Sequence, residues 1–195
     1  MIKSCVTDYI DDLQQLLQRF DWQQLHAVTD VIFKAWRNQQ RIFICGNGGS
    51  AANANHIAND FSYGINPDGR ALNIESLAAN NSIMTCLGND LGYENIFSRQ
   101  LQNKASKGDV LIVLSGSGNS ENIIRAMLHA KASDMTRIAI LGYSGGEAKG
   151  LANHALHFDI DDMQIAEDMQ LIVGHMLMKD LKQKICAFRE SHPCN

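Results

Sequence analysis

The sequence is poor in proline, has no paired cysteine motif, and contains neither a long apolar run nor a run of basic residues. Two prolines in 195 residues leave no proline-rich linker, so we expect one domain over 1–195. The cysteines show no Cys-x-x-Cys spacing, which argues against a disulfide framework and a thiolate zinc site. We expect reduced, mostly buried thiols at Cys5, Cys45, Cys86, Cys186 and Cys194.

Charge and hydropathy exclude two classes of partner. The formal net charge is -4 and the pI about 5.9, without clustered lysine or arginine, so no nucleic-acid partner is expected. Apolar stretches reach only strand length, and the first twenty residues are polar and acidic, which predicts neither a membrane span nor a signal peptide. We therefore expect a cytoplasmic protein without a membrane partner.

The order of the predicted elements indicates an α/β fold. Apolar residues at helical spacing predict a long N-terminal helical arm over 1–38, ahead of an α/β core over 39–190. Five short apolar runs in the core predict strands at 41–45, 71–77, 110–114, 137–141 and 155–160. Helices are predicted at 50–63, 81–87, 93–106, 120–133, near 149 and at 164–189. This alternation is typical of a doubly wound five-stranded parallel sheet, Rossmann-like or flavodoxin-like.

Two serine-bearing turns follow predicted strands and precede predicted helices. Such a turn presents unpaired N–H groups and the positive end of a helix dipole, while serine adds hydroxyl donors. Two of them at the carboxyl ends of strands predict a pocket for a phosphorylated small molecule. The turns are Gly46-Asn47-Gly48-Gly49-Ser50 and Ser115-Gly116-Ser117-Gly118-Asn119-Ser120.

Two other interpretations of these turns remain open. Gly46, Gly48 and Ala51 fit a G-x-G-x-x-A dinucleotide pattern, and Glu75 stands near the end of the next strand. A dinucleotide fold usually opens on its first strand, however, and does not need the second serine turn. Alternatively, both turns are tight connections with serine caps, which explains either turn alone better than the two together.

Ionisable residues on two predicted helices are candidates for the chemistry. His56 and Asp60 stand at i and i+4, one above the other on a helix face. Glu167 and His175 lie on the last helix, although eight residues of straight helix rise roughly 12 Å, so joint metal ligation needs long reaches or a bend near Gly174. Each group is also compatible with a purely structural role, as a surface pair, an interface pair or a helix-dipole contact.

The chain resembles the phosphoheptose isomerase family of sugar-isomerase (SIS) domains over nearly its whole length. The family converts sedoheptulose 7-phosphate to a heptose 7-phosphate. The resemblance rests on GNGGSAANANHIANDF at 46–61, CLGNDLGYENIFSRQL at 86–101, GDVLIVLSGSGNSENII at 108–124 and AEDMQLIVGHML at 166–177. Together these motifs are specific, whereas the serine loop alone marks only the wider SIS fold.

The resemblance implies the site residues, a zinc cofactor and an oligomer. Zinc ligands are expected at His56, Asp60, Glu167 and His175, with Asp60 and His175 moving protons. The family forms tetramers with sites between subunits, so a homotetramer is expected. Together with Ser50 of the first turn, the expected substrate contacts are Asn47, Gly48, Gly49, Asn89, Asp90, Ser115, Gly116, Ser117, Ser120 and Glu167.

Three positions depart from the family pattern. Asp60 replaces a glutamate, Glu167 replaces a glutamine, and Gly64 stands where an arginine is common. The extra carboxylate could tighten metal binding, and the lost arginine could change which sugar phosphate fits.

The expected reaction is an aldose–ketose isomerisation through an enediol. It needs a base near carbon, a proton donor near the carbonyl oxygen and a group that holds the oxyanion; the zinc would polarise the carbonyl. The heptose product would feed lipopolysaccharide or another surface glycan. Similar SIS domains act without catalysis, as sugar-phosphate sensors or as partners of the replication initiator DnaA. The histidines and carboxylates in this sequence favour the enzyme.

Overall fold

A five-stranded parallel sheet forms the centre of the computed structural model, which describes residues 5–67 and 69–192. The strands are β1 (Arg41–Gly46), β2 (Asn73–Ser76), β3 (Val110–Ser115), β4 (Thr136–Leu141) and β5 (His154–His157), in the order β2-β1-β3-β4-β5. Every neighbouring pair is parallel. The predicted doubly wound α/β fold is confirmed, in its flavodoxin-like order.

The strand order brings the two serine turns together. Strand β2 lies on one side of β1. Strand β3 lies on the other side of β1, and β4 and β5 follow beyond it. At this reversal Gly46, the last residue of β1, is paired with Leu114 of β3. Ligands of open parallel sheets bind beyond the carboxyl ends of the strands at such a point. Both serine turns therefore start there, side by side.

Helices cover both faces of the sheet. Residues of β1 alternate between the two faces: Ile42 and Ile44 join one apolar cluster, and Phe43 and Cys45 join the other. The first cluster is completed by the N-terminal and C-terminal helices, and the second by helices from the middle of the chain. The helices of the core are α3 (Gly49–Asn59), α4 (Asn81–Leu91), α5 (Ser98–Lys104), α6 (Glu121–Ala132), α7 (Gly146–Leu151) and α8 (Met163–Ser191).

The predicted N-terminal helical arm consists of two helices, α1 (Cys5–Arg19) and α2 (Gln23–Arg37), with a short break between them. Between them, Asp21 Oδ1 accepts a hydrogen bond of 3.1 Å from the Gln23 amide. The rings of Phe20 and Trp22 lie 4.5 and 6.3 Å from that of Phe158, just after β5. The break lets both aromatic rings pack on the sheet. The division into an arm and a core at residues 38 and 39 stays a prediction.

Three predicted helices have different bounds in the structure. Helix α4 begins where predicted, with its first turn capped by the Asn80 side chain, but it continues to Leu91, and the next residue is Gly92 with φ 88. The predicted helix at 93–106 is a 3₁₀ turn at Tyr93–Asn95 followed by α5. The first core helix ends in a π-helical turn at Asp60–Gly64, where the Ile65 amide donates to the Asp60 carbonyl at 3.2 Å.

The cysteine prediction is half right. The described cysteines are unpaired, as expected. Only Cys45, inside β1, is buried, whereas Cys5, Cys86 and Cys186 lie on exposed faces of helices. Cys194 falls outside the described residues. Within residues 5–67 and 69–192, no helix has the length and apolar character needed to span a bilayer.

Candidate active site

The first serine turn forms the start of α3. Gly48, with φ 55, is the residue before the helix and provides no side-chain cap. A left-handed backbone of this kind favours glycine. Within the described part of the chain, no acceptor is found for the amides of Gly49 and Ser50, while the Ala51 and Ala52 amides bond to the Gly48 carbonyl. Two donors at the positive end of α3 are therefore available to an anion.

The second serine turn is held in shape by its own hydroxyls. Ser115 Oγ accepts from the Gly118 amide at 3.0 Å, and Ser117 Oγ accepts from the Asn119 amide at 3.3 Å. Each hydroxyl keeps its own hydrogen for donation to a ligand. Ser120 immediately precedes α6 but makes no capping bond with its side chain. Serine capping therefore does not account for this turn.

The two turns enclose one cavity. Its volume is about 240 Å³, which is enough for a small anionic group. Most of the predicted substrate contacts line this cavity; Gly49 is the neighbour of two lining residues, and Asn89 and Asp90 lie elsewhere. The lining consists of Asn47, Gly48, Ser50, Leu114, Ser115, Gly116, Ser117, Ser120, Met163 and Glu167.

Asn47 is fixed by two residues that the sequence analysis did not single out. Its side-chain amide exchanges two hydrogen bonds with that of Asn122, at 2.9 and 2.8 Å, and its Oδ1 also accepts from the Tyr93 hydroxyl at 3.0 Å. Asn122 is 2% exposed and lies in the first turn of α6. The amide pair thus joins the first turn to the helix that follows the second. Only the position of Asn122, two residues after Ser120, could have indicated this role.

His56, Asp60 and His175 form a compact polar cluster between α3 and α8. The two histidine Nε2 atoms are 3.1 Å apart, and Asp60 Oδ2 lies 3.4 Å from His56 Nε2 and 3.7 Å from His175 Nε2. The side chain of Asp60 is 21% exposed, and those of His56 and His175 are 48% and 49% exposed. The structure thus brings His175 of the last helix together with the predicted pair, His56 and Asp60.

Two backbone features create this cluster. A Cβ added at Gly174 would lie 2.7 Å from Ile57 Cγ1, so the absence of a side chain lets α8 approach α3 beside His56 and His175. The π-helical turn begins at Asp60, and single π turns inside helices are frequent at functional sites. Gly174 therefore acts through close packing, and α8 continues through it without a break.

The three ligand atoms have the spacing of a zinc site. Each residue offers one atom, and these atoms lie within 4.8 Å of one another. Tetrahedral zinc with bonds near 2.1 Å separates its ligands by about 3.4 Å, close to the three distances in the cluster. Two imidazoles and one carboxylate with an open fourth position match catalytic zinc sites. The donor set therefore fits a zinc ion.

Glu167 is not part of this group. Among the described residues, the cluster contains His56, Asp60 and His175, while Glu167 lines the cavity between the serine turns. The reason is the rise of α8, because eight residues of unbroken helix separate Glu167 from His175 by about 12 Å along the axis. The structure thus brings Glu167 to the predicted phosphate contacts and leaves it apart from the predicted zinc ligands.

Asn89 and Asp90 lie apart from the cavity, on the exposed surface of α4. The Asn89 side chain donates to Asp90 Oδ1 at 2.8 Å, and the Cys86 thiol donates to Asp90 Oδ2 at 3.5 Å. This hydrogen bond and the charge of Asp90 raise the pKa of Cys86. α4 contains no buried residue, so both predicted substrate contacts face solvent in a single chain.

Comparisons with known proteins assign the family. Residues 8–142 match the SIS domain. The chain is 36% identical to the phosphoheptose isomerase of Clostridium acetobutylicum, over 84% of this chain and 83% of that protein. It is 38% identical to that of Nitratiruptor sp., over 80% and 86%. The chain belongs to the phosphoheptose isomerase family. Its fold matches phosphoheptose isomerase GmhA from Neisseria gonorrhoeae with a TM-score of 0.83, at 26% identity over 91% of this chain and 95% of that one.

The departures from the phosphoheptose isomerase pattern have structural counterparts. Asp60 reaches both histidines although it is one methylene shorter than the family glutamate. A Cβ at Gly64 would lie 2.7 Å from Met178 Cε, so the end of the Met178 side chain of α8 would have to move for an arginine to stand there. Gly64 therefore lies where the π-helical turn contacts the Met178 side chain of α8.

Proposed function

We propose that this chain is an aldose–ketose isomerase that converts sedoheptulose 7-phosphate to D-glycero-D-manno-heptose 7-phosphate, a heptose precursor for surface glycan. The observation that carries the proposal is the cluster of His56, Asp60 and His175. His56 lies on α3, whose first turn borders the cavity between the serine turns. Anion binding would then occur at the start of α3, and proton transfer where the end of α3 and the following turn meet α8.

The separation along α3 suits a seven-carbon sugar phosphate. His56 lies seven residues after Gly49, which is about 10 Å along a helix axis. An open-chain heptose 7-phosphate spans about 10 Å when extended, at roughly 3.5 Å for every three bonds. A phosphate held at the start of α3 therefore leaves the carbonyl end of the sugar within reach of the cluster.

The two turns would bind the phosphate. The amides of Gly49 and Ser50, the hydroxyls of Ser115 and Ser117 and the Ser120 side chain can all donate hydrogen bonds, and the α3 dipole adds a favourable field. Phosphate binding energy aligns the distant reacting carbons, so remote contacts contribute to turnover as well as to affinity.

Asp60 and His175 are the proposed acid–base pair. The reaction removes a proton from the carbon next to the carbonyl and delivers a proton to the carbonyl oxygen, giving an enediol that collapses in the other direction. Asp60 is an acceptor for the first transfer, and the imidazole of His175 can donate or accept a proton through a ring nitrogen that no metal occupies. Their polar atoms are 3.7 Å apart, so both can contact adjacent substrate atoms.

Zinc is the proposed cofactor, held by His56, Asp60 and His175. A bound zinc ion would supply Lewis-acid polarisation of the carbonyl oxygen. His56 then serves as a ligand and orients Asp60 through their 3.4 Å contact. A substrate oxygen would supply a further ligand. Glu167, expected as a ligand from the family resemblance, lines the cavity between the serine turns in a single chain, and its role as a ligand stays a prediction.

A homo-oligomer, as a tetramer, is the proposed state of the protein. The exposed apolar or aromatic side chains include Val6 and Ile10 on α1, Leu91 at the end of α4, Tyr93 after it, and Tyr63. Exposed apolar patches are typical of interfaces. Asn89 and Asp90 are exposed on α4, which fits a site that a second copy completes. The cytoplasmic location expected from the sequence stays a prediction.

Isomerase turnover by the purified chain tests the proposal. We expect conversion of sedoheptulose 7-phosphate, and a loss of about 10²–10⁴-fold in kcat for Asp60→Asn, the usual contribution of a general acid or base. Asp134→Asn is the matched control. Asp134 pairs with Lys107 at the surface and has φ 54, a conformation that asparagine also tolerates.

Two results would contradict the proposal. The first is normal turnover by Asp60→Asn. The second is a wild-type protein that is thermally stabilised by sugar phosphates but turns over none of a panel of heptose, hexose and pentose phosphates. That outcome would make the chain a non-catalytic sugar-phosphate sensor.

A further inference from the structure

Glu167 places a carboxylate in the cavity that would receive the phosphate. It is half-buried and lines the same space as the serine turns. A negative group there is unexpected, because the same space receives the amide and hydroxyl donors of the two turns and the positive end of α3, all of which suit an incoming anion. In the family pattern this position is a neutral glutamine, so the negative charge distinguishes this chain from that pattern.

The carboxylate lies directly against the first residue of α3. A Cβ built at Gly49 would be 2.2 Å from Glu167 Oε2 and 2.5 Å from Oε1. Both oxygens thus occupy the space where any side chain at position 49 would stand. The Glu167 side chain would have to move to make room for any residue other than glycine at position 49.

The main chain of Glu167 is tied to α3. The Asn53 side chain donates to the Glu167 carbonyl at 2.9 Å and to Gln170 Oε1 at 3.2 Å. Gln170 is 1% exposed, so this connection is shielded from water. The carboxylate is therefore held near the start of α3, where the helix dipole favours a negative charge.

We propose that Glu167 is a resident anion that sets the phosphate affinity of the site. A phosphate entering the cavity has to displace the carboxylate from Gly49, and the two negative groups repel. Inorganic phosphate and short phosphate esters contact the protein only through the phosphate group, so they bind weakly. A longer sugar phosphate adds contacts along its carbon chain. The proposal rests on the proposed function for the location of the substrate phosphate.

The expected size follows from Coulomb's law. A carboxylate about 5 Å from a phosphate carrying between one and two charges is repelled enough, even at the dielectric constant of water, to lower affinity roughly tenfold. Partial burial increases this factor. Removing the charge without changing the shape of the side chain should therefore tighten phosphate binding at least severalfold.

Calorimetric titration of the full-length protein with inorganic phosphate tests the proposal. Glu167→Gln should bind phosphate roughly tenfold more tightly than the wild type, and 0.5 M NaCl should reduce the difference. Glu190→Gln is the control, because Glu190 is exposed near the far end of α8, about 35 Å along the helix from Glu167. It should bind phosphate like the wild type.

A second variant, Glu167→Ala, distinguishes the effect of the side chain's charge from the effect of its volume. Tighter binding by both Glu167 variants supports a resident anion, whereas tighter binding by Glu167→Ala alone would show that the side chain acts by bulk and would overturn the proposal. Unchanged or weaker binding by both variants would also overturn it. The titration needs no turnover, so a chain that binds phosphate in this manner but isomerises nothing refutes the proposed function and leaves this inference standing.

Discussion

Gly174→Ala should weaken metal binding more than it weakens the fold. Gly174 directly precedes His175, and the residue it contacts, Ile57, directly follows His56. An added Cβ would lie 2.7 Å from Ile57 Cγ1 and 2.8 Å from Ile57 Cδ1, about 1 Å closer than carbon atoms normally pack. To accommodate a methyl group, α3 and α8 have to separate next to the two histidines.

The stability change is the sum of two opposing terms. Overpacking a well-packed site costs about 1–3 kcal/mol, and replacing a mid-helix glycine by alanine returns about 1 kcal/mol through helix propensity. The net loss should be about 0–2 kcal/mol. The 3.1 Å spacing of the histidine nitrogens has less tolerance, because metal sites allow about 0.2 Å in each ligand distance. We expect zinc affinity to fall at least tenfold.

Chelator competition measures zinc affinity, and urea unfolding measures stability. Gly150→Ala on α7 is the control, since nothing lies within 4 Å of an added Cβ there; it should leave zinc affinity unchanged. Ile57→Val removes Cδ1 and should restore part of the affinity in the Gly174→Ala background. A Gly174→Ala protein with wild-type zinc affinity would refute the claim that this close approach of α3 and α8 shapes the cluster.

Two further predictions concern the surroundings of the site. Asn122→Leu removes both hydrogen bonds to the Asn47 side chain. We expect KM to rise more than kcat falls, and the free energy of unfolding in urea to drop by about 1–3 kcal/mol. An unchanged KM would contradict this role. Because Asp90 raises the pKa of Cys86, alkylation at pH 8 should be slower at Cys86 than at Cys186, another exposed thiol, and the difference should shrink as the pH rises. Equal rates at pH 8 would exclude the hydrogen bond of Cys86 to Asp90.

Local patterns were sufficient to predict the sheet and the serine turns. A strand that is buried on both faces appears in the sequence as a short apolar run bounded by glycine and serine, as in Val110–Ser115. Its place in the chain can therefore be predicted from the local sequence. The same is true of helices that begin directly after a turn. The local sequence leaves the strand order open between Rossmann-like and flavodoxin-like arrangements, because the handedness of parallel connections fixes the face on which a connecting helix packs and not which strands become neighbours.

Contacts between distant segments could not be predicted in the same way. The break between α1 and α2 depends on two aromatic rings that pack on Phe158, more than 130 residues later. The π-helical turn at Asp60 and the close approach at Gly174 arise from the packing of α3 and the following turn against α8. The position of Glu167 against Gly49 and the bonds of Asn122 to Asn47 likewise join residues far apart in the chain.

The central claim is that one substrate spans from the phosphate contacts to the His56–Asp60–His175 cluster. Phosphorus NMR relaxation of bound sedoheptulose 7-phosphate, with paramagnetic Co²⁺ in place of zinc, measures the distance from the metal to the phosphorus atom. The rise of α3 between Gly49 and His56 predicts roughly 8–15 Å. A phosphorus atom within about 5 Å of the metal would contradict the account, because the phosphate would then be bound at the cluster instead of the serine turns.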